Sequence, residues 1–199
     1  HSYYASKNQN IINAHYTIMV AEVASTVNEL LLANYLINKE QDNMKKAALI
    51  NEQLDMIRAT LIRQSMFAEF ERDVHSKIEQ NESLTSDNLN DIYYDLVKKY
   101  FGESTNANEE IKYEWARIPH FYRCFYVYKY ATGITAAIVI ANKILSGEEG
   151  YVSRYKEMLK QGRSKSSIEL LKMVDVDLEN EETYKDAIRY YEDLLKNFK

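Results

Sequence analysis

Two groups of side chains in this sequence could do chemistry. The first is a pair of carboxylates, Glu22 and Glu29, in the stretch Val20-Ala21-Glu22-Val23-Ala24-Ser25-Thr26-Val27-Asn28-Glu29. Glu22 lies among apolar residues in the middle of a helical pattern. A carboxylate there is costly unless it is paired, hydrogen-bonded or bound to a metal. Glu29 comes two turns later, nearly on the same face, with Ser25 between them. Such a stripe suits a metal ligand with an outer supporting carboxylate. It also suits two solvent-facing residues in ordinary ion pairs.

The second group is Ile118-Pro119-His120-Phe121-Tyr122-Arg123-Cys124-Phe125-Tyr126-Val127-Tyr128-Lys129-Tyr130-Ala131-Thr132-Gly133, which packs one histidine and four tyrosines into a short span after a proline. If Phe121 onward is helical, Tyr126 and Tyr130 share a face, Tyr122 extends that line, and Tyr128 lies on the other side, about two turns beyond His120. Neutral hydroxyl and imidazole N–H donors suit a developing oxyanion. The competing reading is an aromatic helix in a core with its polar tips satisfied.

No HExxH, CxxC, GxSxG or glycine-rich phosphate loop is present. His1 cannot complete an HExxH with anything in the chain, and His15 and His75 read as surface or half-buried histidines. Cys124, the single cysteine, sits among aromatic residues with no activating base beside it, which predicts a buried structural thiol.

The elements that must position these residues read as helices. One proline and five glycines leave little turn chemistry for a β-rich fold, and apolar residues make up 46% of the chain. The spacing predicts a long helix over 13–38 and a second from about 43 to 80, broken at Lys39–Asp42. A third begins at Ser86 or Asp87 as N-cap and ends near Phe101–Gly102. Pro119 interrupts or opens a helix. The most apolar helix is expected over 121–145, followed by helices over 150–161, 166–174 and 181–198. No linker or internal repeat is visible, so residues 1–199 are expected to form a single helical unit.

The formal net charge is −5, with acids and bases interspersed. No basic stripe argues for nucleic acid. The stretch 156–165, with Lys156, Lys160, Arg163 and Lys165, reads as a solvated helix end and loop. The longest apolar run, 134–141, is too short for a membrane span. A soluble, cytoplasmic protein is expected. The 17 tyrosines predict surfaces that are apolar in body and hydrogen-bonding at the tip.

At these same residues the sequence resembles oligoendopeptidase F, of the thimet-oligopeptidase-like zinc peptidases. The opening His1-Ser2-Tyr3-Tyr4-Ala5-Ser6 resembles the residues directly after the HELGH zinc helix of that family, and the stretch from Ala21 to Glu29 resembles the segment bearing its third zinc ligand. The stretch from Ile118 to Gly133 is similar to its substrate and transition-state loop. Gly162-Arg163-Ser164-Lys165-Ser166 with Glu169-Leu170-Leu171 resembles its GxSKxxxELL segment.

The resemblance implies an all-α chain, the multi-helix C-terminal part of a zincin catalytic domain, whose intact parent is a zinc-dependent endopeptidase acting on short peptides. It implies Glu22 as the third zinc ligand and Glu29 as its support. It implies His120 as the substrate-loop histidine and Tyr128 as the donor to the carbonyl under attack, with Tyr126 and Tyr130 as the alternatives. The remaining zinc ligands and the general base are expected upstream of residue 1, so the chain alone is expected to be inactive and to bind zinc weakly. Self-association through a face exposed by truncation is a further expectation. The alternative is a non-catalytic helical module holding a peptide in a tyrosine-rich groove.

Overall fold

The structure, a computed structural model, describes residues 1–102, 105 and 108–198. Among these residues it is helical, with no strand. The α-helices are α1 (Ser2–Asn8), α2 (Ile18–Lys39), α3 (Asn43–Ile57), α4 (Arg63–Glu79), α5 (Ser86–Phe101), α6 (Tyr128–Leu145), α7 (Tyr151–Lys160), α8 (Ser167–Lys172) and α9 (Glu181–Asn197). Two 3-10 segments, Glu109–Arg117 and Pro119–Tyr122, lie between α5 and α6. The chain divides into two compact units, residues 1–58 with 132–199, and residues 59–131.

In the first unit, α2 buries Val20, Val23, Ala24, Val27 and Leu30, the three-and-four spacing of a single apolar face. The helix starts at Ile18, not at Asn13 as the periodicity suggests. Residues 11–13 form a turn instead, where the Asn13 N–H donates to Asn10 Oδ1 at 3.0 Å, and Thr17 Oγ1, just ahead of the helix, shares a long-range 2.7 Å bond with Ser167 Oγ. Asp42 caps α3 by accepting from the Met44 and Lys45 N–H groups. The Ser166 and Glu169 side chains form a reciprocal capping box on α8, which gives that conspicuous stretch of sequence a structural use. Gly162 has φ +53, and a Cβ there would lie 2.0 Å from the Asn13 carbonyl oxygen. That close approach is closed by the Arg163 N–H donating to the same oxygen at 2.8 Å.

The second unit is organised around α4, α5 and the two 3-10 segments. Met66, Phe67, Phe70, Tyr93, Leu96, Val97, Ile118 and Val127 form its core, with Trp115 and Phe121 partly buried against it. Phe121 packs on Phe67 and Phe70 with ring centroids 5.5 and 5.2 Å away. The N-cap of α5 is Thr85, one residue before the expected Ser86 or Asp87, because Thr85 and Asn88 complete a capping box. The expected helix from 43 to 80 carries a π-helical turn at Arg58–Ile62.

The expected continuous helix over 121–145 does not form. Pro119–Tyr122 is a 3-10 turn, Phe125 takes φ 52, and α6 begins only at Tyr128. Tyr122, 80% exposed, therefore does not extend the line of Tyr126 and Tyr130. Cys124 is exposed, contrary to the buried thiol expected, because this break turns its side chain away from the core.

Candidate active site

In the first unit Glu22 lies on α2 between buried Val20 and Val23, and is itself half-buried. Its carboxylate has no hydrogen-bond or ion-pair partner among the described residues; the hydrogen bond at this position runs from Ser25 Oγ to the Glu22 backbone carbonyl at 3.0 Å. A half-buried carboxylate without a protein partner is available to a cation. Gly133 of α6 faces it: a Cβ at that position would stand 3.6 Å from the Glu22 Cβ, an ordinary van der Waals contact. Glu29 is exposed and also lacks a partner among the described residues. The two sit on the same helix, as the spacing requires, at different depths. No group of three or more histidine, cysteine or acidic residues that could hold a metal occurs among the described residues. The donor set thus fits one carboxylate position of a zinc site and does not by itself make one.

In the second unit the break after Pro119 gathers three rings. His120 stacks with Tyr126 at 5.8 Å between centroids, meets Tyr130 edge-on at 5.7 Å, and Tyr126 and Tyr130 meet edge-on at 5.6 Å. The Tyr130 hydroxyl lies 3.4 Å from His120 Nε2. Pro119, His120, Arg123 and Tyr126 line an open pocket of about 270 Å³. Tyr128 is 44% exposed, with the Lys129 ammonium 5.9 Å from its ring centre. His120, Tyr126 and Tyr130 therefore form one cluster.

Two acidic residues that sequence reasoning did not single out hold this platform. Glu114 accepts from Tyr93 Oη at 2.7 Å and from Arg63 Nη2 at 2.5 Å, and pairs with Arg117. Burial works to raise the Glu114 carboxyl, but the Tyr93 hydroxyl and the two guanidinium groups outweigh it and hold it below the usual range. Burial, with Glu114 adding to it, pushes the Tyr93 phenol far up. Trp115 Nε1 donates to Asn90 Oδ1 at 2.9 Å, fixing the same 3-10 segment to α5. Glu71 of α4 is 5% exposed and accepts from the Phe125 N–H at 2.5 Å. The available signal was its place one turn after Phe67 on the face that carries Phe70, where a carboxylate is out of character.

Among the described residues the chain is helical, with a half-buried carboxylate on α2 in the first unit and, separately, a histidine–tyrosine cluster after a proline break in the second. The match to Peptidase family M3 spans residues 1–190, and the chain belongs to that family. It is 45% identical over 195 residues to Oligopeptidase PepF of Bacillus subtilis, covering 98% of this chain and 29% of that protein. It is 40% identical to the plasmid-encoded Oligoendopeptidase F of Lactococcus lactis subsp. cremoris, covering 98% of this chain and 32% of the relative. Among solved structures, oligoendopeptidase-F from Enterococcus faecium superposes with a TM-score of 0.89 at 38% identity, over 99% of this chain and 36% of that one. A putative peptidase from Chlamydophila abortus gives 0.93 at 38% identity, over 99% and 33%. The chain thus spans about a third of the length of the relatives it matches. The expected all-α peptidase fold is borne out.

Proposed function

We propose that this chain is the part of a zinc-dependent oligoendopeptidase that supplies one zinc ligand and the oxyanion donors. The observation that carries the reading is the half-buried, partnerless Glu22 carboxylate on α2 of a chain belonging to Peptidase family M3. Glu22 is the zinc ligand and Glu29, two turns on, steadies the site from its rim. Zinc, when bound, supplies Lewis-acid polarisation of the scissile carbonyl and lowers the pKa of a bound water.

The chain's own residues orient the peptide and stabilise charge. The exposed Tyr128 donates its hydroxyl to the carbonyl oxygen under attack, and His120 donates a ring N–H to the substrate. Tyr126 and Tyr130 hold the imidazole plane, and each, two residues from Tyr128, is an alternative hydroxyl donor. Substrates are short peptides, and the setting is the cytoplasm. No HExxH is present in these 199 residues, so a polypeptide of these residues alone is inactive and binds zinc weakly.

The test is hydrolysis of an internally quenched short peptide by the intact polypeptide that carries this chain. Chelation should abolish the activity and added zinc should restore it. Tyr128→Phe should lower kcat by about 100-fold or more, the usual cost of one oxyanion donor. Hydrolysis that survives chelation would refute the metallopeptidase reading.

A further inference from the structure

The turn that carries Tyr126 is held in an unfavourable conformation by a buried acid. Phe125 has φ 52, in the left-handed region that aromatic L-residues avoid. Three contacts keep it there. Glu71, 5% exposed, takes the Phe125 N–H at 2.5 Å. The His75 ring, one turn further along α4, lies 4.6 Å from the Phe125 ring. Val127, fully buried, anchors the chain two residues on. Glu71 forms no ion pair among the described residues, so the Phe125 amide is the hydrogen-bond donor it serves. Its neighbours Glu69 and Arg72 are engaged elsewhere, Glu69 with Lys99 and Tyr100, and Arg72 with Glu69 and Asp73.

We infer that Glu71 is a positioning residue for peptide hydrolysis: its buried carboxylate fixes the left-handed turn at Phe125 and so aims the Tyr126 ring at His120. Without that acceptor, the amide at 125 has no partner and the backbone relaxes to negative φ. A change in φ at Phe125 redirects the next side chain, so Tyr126 leaves its 5.8 Å stack on His120. The donors then lose the geometry that catalysis needs while the fold and the metal ligand stay in place. This inference rests on the peptidase reading and adds to it a residue that need not touch the substrate.

The experiment compares Glu71→Gln, Glu71→Asp and Glu71→Ala in the intact polypeptide, with a short internally quenched peptide as substrate. Glutamine keeps an acceptor oxygen at the same reach, and its kcat should stay within about threefold of the parent, a neutral hydrogen bond replacing a charged one. Aspartate keeps the charge but falls a methylene short, and alanine removes the acceptor. Both should lose about 10- to 100-fold in kcat, the cost of misplacing a donor by about an ångström, with KM and zinc content unchanged. Amide hydrogen exchange at Phe125 should be slow in the parent and Glu71→Gln and fast in the other two. Loss of kcat in Glu71→Gln equal to that in Glu71→Ala would overturn the inference. So would full kcat in Glu71→Asp despite fast exchange at Phe125. A parent that cleaves no peptide would sink the peptidase reading, whereas the exchange pattern reports on the Glu71 anchor alone.

Discussion

Glu114→Ala should unfold the second unit far more easily, because a buried hydroxyl and two guanidinium groups depend on that one carboxylate. The Glu114 side chain is 10% exposed and satisfies Tyr93, a fully buried residue whose hydroxyl donates to it at 2.7 Å. Removing the acceptor strands that hydroxyl in the core, at about 1–3 kcal/mol. Arg63 is 34% exposed and loses its partner as well, adding up to about 1 kcal/mol, while Arg117, at 71%, adds little. The sum is about 1–4 kcal/mol. Tyr93→Phe alone should cost about 1 kcal/mol, since both the donor and its need for a partner are removed. In the Tyr93→Phe background Glu114→Ala should therefore cost about 1–2 kcal/mol less than in the parent. Urea unfolding followed by the fluorescence of Trp115, the only tryptophan, reads the unit that contains this network. A cost below about 1 kcal/mol for Glu114→Ala, or the same cost with and without the Tyr93 hydroxyl, would show that the carboxylate does not anchor this unit.

The same network predicts acid sensitivity. The folded-state Glu114 carboxyl is held below its usual range, so its contribution is fully present above the unfolded value of about 4.3 and is lost as pH falls through the lower folded value. Glu114→Gln should flatten the stability profile there, as pH-dependent melting would show. At the other extreme, burial pushes the Tyr155 phenol up to about 12, so its neutral form favours the folded state. That contribution is complete below about pH 10 and lost as pH rises through 12, and ultraviolet titration should show this phenol ionising late. Gly162→Ala places a Cβ 2.0 Å from the Asn13 carbonyl at φ +53, and should cost at least about 1–3 kcal/mol and expose residues 9–17 to protease. Wild-type resistance to proteolysis in that variant would contradict the contact.

The fold was legible because its signal is redundant. Val20, Val23, Val27 and Leu30 fall on one face whatever their partners, and capping residues such as Asn180 and Ser166 mark helix starts directly. The break at 123–127 was not, since Phe125 carries no turn signature. Its left-handed backbone is imposed from outside, by Glu71 more than fifty residues away in sequence. Helical periodicity therefore ran through it and put Tyr122 in line with Tyr126 and Tyr130. The ring cluster of His120, Tyr126 and Tyr130 was foreshadowed by composition, but its arrangement depends on that non-local bond. Cys124 shows the same limit: aromatic neighbours suggested burial, and the turn exposes it. The Glu71 and Glu114 anchors could have been suspected from acids on apolar faces, while their partners could not be named from spacing.

Whether Glu22 holds zinc is decided by the metal content of the intact polypeptide carrying this chain, purified with Glu22 unchanged and as Glu22→Gln, alongside hydrolysis of a short peptide. The parent should carry about one zinc per polypeptide, and Glu22→Gln should lose both metal and activity with the helical fold retained. Stoichiometric zinc and undiminished hydrolysis in Glu22→Gln would contradict the assignment.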